Sequence, residues 1–176
     1  MLDLKRIGVV NKTTMLATET EEISAFLKRV VHDAYGENSF ADTRDTLCYA
    51  TNENQMAAME LLTVSADMAL VIGGHKSSNT FQLATILNKR MKTYFIENAN
   101  DLTTDRIRNF DLNTLEVKES PFTLFEHKAQ ICIASGASCP DTIVDDVVEK
   151  VCAILDVKYD PETWIAQWAS ETGTNA

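Results

Sequence analysis

The sequence predicts an α/β fold with mainly parallel strands. Short apolar runs recur along the chain, and each run leads through small polar residues into apolar residues at helical spacing. Units of this kind pair their strands in parallel and bury the sheet between helices. With 176 residues, of which 45% are hydrophobic, the chain can form one α/β domain, or one domain and part of another.

The amino-acid composition argues against several classes of function. The formal net charge of −10 argues against non-specific nucleic-acid binding, which depends on clustered lysine and arginine. The apolar runs fall short of the roughly 20 residues of a membrane helix and no signal peptide is recognisable, so we expect a cytosolic or organellar location. The four cysteines form no Cys-x-x-Cys pair, which favours a reducing compartment over a disulfide framework or a zinc ribbon.

The first unit is a strand over residues 6–10, a polar loop and a helix. The loop carries Thr13 and Thr14. Thr18 and Glu21 match a capping box, so we expect the helix to begin there. The apolar face of this helix comprises Ile23, Phe26, Leu27, Val30 and Val31.

The second unit places a cysteine between a strand and a helix. Residues 46–49 predict a short strand, and Thr51 or Asn52 can cap the helix that follows. Cys48 would then lie at the carboxyl end of a strand, where α/β sheets bind ligands, and the helix dipole would stabilise its thiolate. Two interpretations stay open, namely a reactive or metal-binding thiolate and a buried cysteine that packs as a small apolar residue.

The third unit carries the strongest binding signal. Residues 68–72 predict a buried strand, and residues 73–79 follow it with the sequence Gly-Gly-His-Lys-Ser-Ser-Asn. Glycines permit unusual backbone angles, and serine and asparagine donate hydrogen bonds without charge, so the loop suits a phosphate at a helix N-terminus. An ordinary turn with a Ser or Asn cap is the alternative. The next helix should bury Leu83, Ala84, Leu87 and Met91.

The remaining elements end with a unit that resembles the first. After a further strand, Asp101 should cap a short helix that continues through Ile107, and residues 109–128 show no clear pattern. Residues 129–134 then predict a strand, and Ser138 in the loop after it is either a helix cap or a ligand donor. The last amphipathic helix should bury Val144, Val147, Val148, Val151 and Leu155.

Four strand-to-helix junctions therefore end in small polar residues. Because the carboxyl ends of parallel strands lie on one edge of a sheet, these junctions can converge on a common surface. That surface would be rich in neutral hydroxyl donors and would contain one thiol, which suits an oxyanion beside a metal centre. The residues concerned are Thr13, Thr14, Cys48, Thr51, Ser77, Ser78, Asn79, Ser135 and Ser138.

Four motifs stand in order along the chain. They are Asn11-Lys12-Thr13-Thr14-Met15-Leu16, Asp45-Thr46-Leu47-Cys48-Tyr49-Ala50-Thr51, Gly73 with Ser77-Ser78-Asn79-Thr80, and Ser135-Gly136-Ala137-Ser138 with Pro140-Asp141. In this order they resemble the 4-hydroxy-3-methylbut-2-enyl diphosphate reductase family, also known as IspH or LytB. The resemblance runs in register from about residue 5 to about residue 155.

The resemblance implies repeated three-layer α/β lobes with mainly parallel sheets around a 4Fe–4S cluster, which three cysteines hold, one from each lobe. The implied reaction removes the substrate hydroxyl with two electrons and two protons and gives isopentenyl and dimethylallyl diphosphates in the non-mevalonate isoprenoid pathway. Ferredoxin or flavodoxin would supply the electrons, in the bacterial cytoplasm or the plastid stroma.

The resemblance also assigns roles to single residues. Cys48 matches a cluster ligand, and Thr13 matches a threonine that orients groups for proton delivery, with Thr14 and Thr51 as secondary candidates. The residues that match the diphosphate ligands are Ser77, Ser78, Asn79 and Ser138.

The family's other cluster cysteines, its substrate-binding histidines and its catalytic glutamate belong to a region that would precede residue 1. We therefore expect the C-terminal part of a reductase, with one lobe truncated. Residues 1–44 would be half of one lobe, residues 45–157 a nearly complete lobe, and residues 158–176 an extension. The hypothesis is that this chain alone is inactive.

Two other functions stay open. The chain could be a stand-alone phosphate-binding or sensory α/β module without a cluster, in which Cys48 packs in the core. A flavodoxin-like nucleotide binder is the third candidate, although the loops lack the glycine spacing of a dinucleotide fingerprint.

Overall fold

The computed structural model describes residues 7–10, 12–41, 49–122 and 129–172, with the backbone alone at residues 168, 169, 171 and 172. The helices are α1 (Ala17–Tyr35), α2 (Tyr49–Leu61), α3 (Ser78–Leu87), α4 (Asp141–Ile154) and α5 (Pro161–Thr172). The strands are β1 (Ile7–Gly8), β2 (Phe40–Ala41), β3 (Met68–Ile72), β4 (Thr93–Ile96), β5 (Arg106–Asp111), β6 (Glu116–Pro121) and β7 (Ile131–Ser135). Within these ranges no helix has both the length and the apolar character needed to cross a membrane.

A three-stranded parallel sheet in the order β4-β3-β7 forms the centre of the fold. Ile72 of β3 pairs with Ile96 of β4 on one side and with Ser135 of β7 on the other, so the three strands end at the same level. This geometry confirms, for these strands, that the loops after them leave from one edge of a parallel sheet.

Alternate residues of β3 face two different apolar cores. Ala69 and Val71 face the core that α2 and α3 cover, whereas Leu70 and Ile72 face the core that α4 covers. The first core also contains Ala58, Leu83, Ala84, Ile86, Leu87 and Phe95. The second also contains Tyr94, Ile96, Ile107, Val147 and Val151. The unit is therefore a three-layer α/β arrangement, and the predicted α/β class with mainly parallel sheets is confirmed, whereas the repetition of lobes stays a prediction.

The starts of α1 and α2 differ from the sequence predictions. The N-cap of α1 is Leu16, which makes no side-chain cap bond, so Thr18 lies inside the helix and the predicted capping box is wrong. Tyr49 begins α2 and is not the end of a strand, and Thr51 is a buried residue within the helix and not its cap.

A β-hairpin replaces the predicted helix after Asp101. Asn98 caps a short 3₁₀ helix at Ala99–Asp101, and the Asp101 carboxylate accepts hydrogen bonds from the Glu97 and Asn98 N–H groups at 2.8 and 3.3 Å. The antiparallel strands β5 and β6 follow, with Arg106 opposite Pro121. Charged and exposed side chains dominate β6, so the apolar alternation that identifies a strand is absent there.

The first sheet pairs β1 with β2 in parallel, beside α1. The apolar face predicted for α1 is largely uncovered, since Val31 alone is buried among the residues of this helix. Ile23, Phe26 and Val30, which share one face of the helix, are each about half exposed.

Candidate functional site

The loop after β3 forms a tight turn into α3. Gly73 has a φ of +152°, an angle that favours glycine, and its N–H donates to the Ile96 carbonyl at 3.0 Å. The Ser77 N–H donates to the Gly74 carbonyl at 2.8 Å. Ser77 is the N-cap of α3, and its Oγ accepts from the Thr80 N–H at 3.3 Å. A capping serine keeps its hydroxyl hydrogen free, so Ser77 can cap the helix and donate to a ligand.

Asn79 is a buried polar residue in the first turn of α3. It is 5% exposed, and neither Nδ2 nor Oδ1 has a hydrogen-bond partner among the described residues. An unpaired buried polar group costs about 1–3 kcal/mol, so each such group requires an explanation. The unpaired N–H groups of the helix N-terminus and the partly buried Ser78 lie in the same turn. This turn therefore offers several uncharged donors to an anion.

The loop after β7 meets the start of α3. The Gly136 N–H donates to the Ile72 carbonyl at 3.0 Å, which extends the pairing of β7 with β3 past the last strand residue. A Cβ placed on Gly136 would lie 3.8 Å from Ser77 Oγ, so the two loops are close neighbours. The Cys139 N–H donates to the Gly136 carbonyl at 2.8 Å and closes the turn that contains Ser138.

Ser138 does not cap a helix. The N-cap of α4 is Pro140, which makes no side-chain cap bond. The helix-cap interpretation of Ser138 is therefore wrong. Its side chain is exposed, in a turn next to the start of α3, so the hydroxyl is available to a ligand.

Two adjacent side chains of α2 connect this edge to the loop before α1. Asn54 Nδ2 donates to the Ser135 carbonyl, at the end of β7, at 3.2 Å. Gln55 is 1% exposed; its Nε2 donates to the Met15 carbonyl at 2.9 Å and its Oε1 accepts from the Ala17 N–H at 3.1 Å. The helix α2 thereby fixes the start of α1 relative to the end of β7.

Thr13 and Thr14 lie in the loop that Gln55 holds. The Met15 N–H donates to the Lys12 carbonyl at 3.1 Å and closes the turn that contains both threonines. Thr13 is exposed, whereas Thr14 Oγ1 is buried and has no partner among the described residues. Thr51 is 3% exposed within α2, the helix that also carries Gln55.

The predicted metal ligand Cys48 lies outside the described residues, next in sequence to Tyr49, so its position near the hydroxyl groups stays a prediction. Among the side chains that the structure does describe, no three His, Cys, Asp or Glu residues group closely enough to hold a metal ion. Burial raises the pKa of the thiols of Cys132, Cys139 and Cys152, which therefore remain protonated near neutral pH. The described residues do not by themselves fit an iron–sulfur cluster.

His75 ties the loop after β3 to β4 and β5. Its ring stacks on Phe110 with the centroids 5.2 Å apart and meets Phe95 edge-on at 5.1 Å. Its backbone N–H donates to Glu97 Oε1 at 3.2 Å, and its Nδ1 lies 3.7 Å from the same oxygen. These contacts stabilise the loop against the neighbouring strand ends.

The sequence predicts no role for three residues that position the site, namely Asn54, Gln55 and Thr80, although Thr80 belongs to one of the four motifs. All three are polar residues within helices, where a polar residue is normally exposed. A usable signal exists for Thr80 alone, because it follows directly on the Ser-Ser-Asn motif.

These features define an α/β protein with a candidate oxyanion site at the carboxyl edge of its parallel strands. The model of the LytB protein family matches residues 1–152. The chain therefore belongs to the LytB family.

Curated relatives carry the name 4-hydroxy-3-methylbut-2-enyl diphosphate reductase. The relative from Nostoc punctiforme is 36% identical over 157 residues, which are 86% of this chain and 39% of that protein. The relative from Rippkaea orientalis is 37% identical over 163 residues, 89% of this chain and 40% of that protein. The chain thus spans about 40% of the length of these relatives.

A solved structure shows the same fold. The E-1-hydroxy-2-methyl-but-2-enyl-4-diphosphate reductase from Plasmodium falciparum aligns with a TM-score of 0.56 at 21% identity. The alignment covers 86% of this chain and 41% of that one. At this identity the likeness extends to the fold alone.

Proposed function

We propose that this chain provides the diphosphate-binding part of a 4-hydroxy-3-methylbut-2-enyl diphosphate reductase. The main support for this proposal is the buried side-chain amide of Asn79, which lies in the first turn of α3 and has no hydrogen-bond partner among the described residues. A diphosphate at this turn would accept hydrogen bonds from the amide and from the helix N–H groups. The names of the curated relatives support this choice of ligand.

The proposed ligand donors come from two neighbouring loops. Ser77, Ser78 and Asn79 bind the diphosphate from the start of α3, and Ser138 binds it from the turn after β7. Thr13 orients groups at the hydroxymethyl end of the substrate, with Thr14 and Thr51 in support. All of these donors are uncharged, which agrees with a chain whose net charge is −10, because binding here depends on local hydrogen bonds and not on the overall field.

In the whole reductase, the substrate hydroxyl would leave as water while two electrons and two protons enter, which yields isopentenyl or dimethylallyl diphosphate. An iron–sulfur cluster would supply the electrons after reduction by a ferredoxin or flavodoxin. We propose that Cys48 contributes one thiolate to a 4Fe–4S cluster and that two further cysteines come from outside this chain. On this proposal the chain alone binds the ligand but does not turn it over.

The division of the chain follows from the same proposal. Residues 1–44 would belong to one lobe, residues 45–157 to a second lobe, and residues 158–176 to an extension. The separate sheets β1-β2 and β4-β3-β7 support a boundary between the first two portions. We also propose that the protein is located in the bacterial cytoplasm or the plastid stroma.

Titration with inorganic pyrophosphate tests the ligand assignment. Asn79→Leu removes the unpaired amide, so we expect the free energy of unfolding to rise by about 1 kcal/mol. The same change should weaken pyrophosphate binding about tenfold or more, because it removes hydrogen bonds to a charged ligand. Calorimetry and urea unfolding measure the two effects on one sample.

The matched control is Asn88→Leu, at the exposed C-cap of the same helix. It should leave pyrophosphate affinity unchanged. Equal loss of binding in both variants, or none in Asn79→Leu, would refute the assignment. Binding of orthophosphate as tightly as pyrophosphate would favour a stand-alone phosphate module. Reconstitution of a four-iron chromophore on this chain alone would contradict the proposed ligand set.

A further inference from the structure

We propose that Thr80 is a positioning residue that sets the distance between the two arms of the diphosphate site, an inference that rests on the proposed function. One arm is the start of α3, which carries Ser77 and Asn79. The other arm is the turn after β7, which carries Gly136 and Ser138.

Thr80 occupies the first turn of α3 and is 1% exposed. Its N–H donates to Ser77 Oγ at 3.3 Å, so the backbone of Thr80 holds the capping serine. Its Oγ1 is buried and has no hydrogen-bond partner among the described residues. The hydroxyl therefore contributes through its size and position.

The side chain of Thr80 lies between two glycines that directly follow different strands, Gly73 after β3 and Gly136 after β7. A Cβ on Gly73 would come within 2.7 Å of Thr80 Oγ1 and 3.1 Å of Cγ2, and a Cβ on Gly136 would overlap Thr80 Oγ1. Sheet hydrogen bonds hold both glycines, since their N–H groups donate to the Ile96 and Ile72 carbonyls at 3.0 Å each. If Gly73 or Gly136 moved away from Thr80, one of these hydrogen bonds would break. The side chain of Thr80 therefore fixes the position of the start of α3 relative to both strand ends.

The two glycines are required for different reasons. Gly73 has a positive φ, which disfavours any side chain. Gly136 is not among the described glycines with a positive φ, so the space that Thr80 occupies is what demands glycine there. A larger residue at position 136 would push the turn that carries Ser138 away from α3.

A double-mutant cycle between positions 80 and 136 tests this contact. Gly136→Ala should lower the midpoint of urea unfolding and weaken pyrophosphate binding about tenfold, because the new methyl group meets Thr80 Oγ1. Adding Thr80→Ala vacates that space, so the double variant should bind pyrophosphate within about twofold of the original chain. Thr80→Ala alone should weaken pyrophosphate binding several-fold. Thr80→Ser keeps Oγ1, so it should bind pyrophosphate as tightly as the original chain.

Two controls separate this contact from general destabilisation. Gly73→Ala should lose stability mainly through its backbone angle, so Thr80→Ala, which removes the contact with Oγ1 and leaves the angle unchanged, should rescue it only in part. Thr85, on the same helix, bonds the Phe81 carbonyl through Oγ1 at 2.9 Å, and Thr85→Ala should not rescue Gly136→Ala.

A double variant no better than Gly136→Ala, in both unfolding midpoint and affinity, would overturn the role of Thr80. If the original chain binds no pyrophosphate, the proposed function fails. In that case the urea midpoints of the cycle, together with amide exchange in the turn at residues 137–139, still decide whether Thr80 sets the spacing of the loops.

Discussion

Gln55 provides the most direct test of how the candidate site is assembled. It is a fully buried residue of α2, and both ends of its amide bond backbone groups at the start of α1, namely the Met15 carbonyl in the preceding loop and the N–H of Ala17, the first helical residue. Gln55→Met keeps the length and volume of the side chain and removes both hydrogen bonds. The change therefore isolates the polar link between α2 and the loop that carries Thr13 and Thr14.

The expected magnitude follows from the groups left behind. Each unpaired backbone group costs about 1–3 kcal/mol when it is buried. The Met15 carbonyl and the Ala17 N–H are only partly buried, and water can replace part of each bond, so the lower half of that range applies. With two such groups at about 1–2 kcal/mol each, we expect Gln55→Met to lower the free energy of unfolding by about 2–4 kcal/mol.

Urea unfolding followed by circular dichroism measures this loss, and amide exchange locates it. The Ala17 N–H should exchange faster in Gln55→Met, because its acceptor is gone, while the amides of β3 change only with global stability. Gln82→Met, at a partly exposed position on α3, is the matched control and should alter stability by less than about 0.5 kcal/mol. A variant within 0.5 kcal/mol of the original chain, with unchanged exchange at Ala17, would refute the reasoning.

Two surface predictions follow. Hydrogen bonds lower the pKa of the Asp111 carboxyl to about 2, and the donors are the N–H groups of Thr114 and Asn113 and the side chain of Lys118. The ionised carboxylate therefore stabilises the fold above pH 4, and this stabilisation is lost as the pH falls towards 2. The stability difference between Asp111→Asn and the original chain should therefore shrink over that range, and a constant difference in acid unfolding would contradict this. Phe26 is 54% exposed on α1, on the same face as the half-exposed Ile23 and Val30, so we expect chains to associate through this face and Phe26→Glu to weaken that association. Unchanged sedimentation behaviour would count against that surface.

The central sheet could be predicted because its signal is local. Residues 68–72 form an unbroken apolar run, and all five are buried in β3. The spacing of apolar residues likewise predicts α1 and identifies its apolar face. It does not show whether another part of the fold packs against that face. Only Val31 of that face is buried. The hairpin was not predicted because exposed charges replace the apolar alternation in β6, and Ile107 is the only fully buried residue of β5, too little to indicate a strand.

The residues of the candidate site likewise include some that the sequence predicts and some that it does not. Ser77, Ser78 and Asn79 could be found because small polar residues at a strand-to-helix junction have a local meaning. Asn54 and Gln55 could not be found, because their partners lie 81 and about 40 residues away in the sequence. Such contacts depend on the packing of α2 against the rest of the fold, which no local pattern records.

The contrast between Gln55 and Asn79 supports a ligand at the start of α3. Both are buried amides within helices, and both carry one donor group and one acceptor group. Gln55 finds a backbone partner for each group, as a structural amide does. Asn79 finds none among the described residues, beside a helix N-terminus whose own N–H groups also need an acceptor. A diphosphate would satisfy the donors of both at once, which is why its binding should reverse the stability order of the original chain and Asn79→Leu.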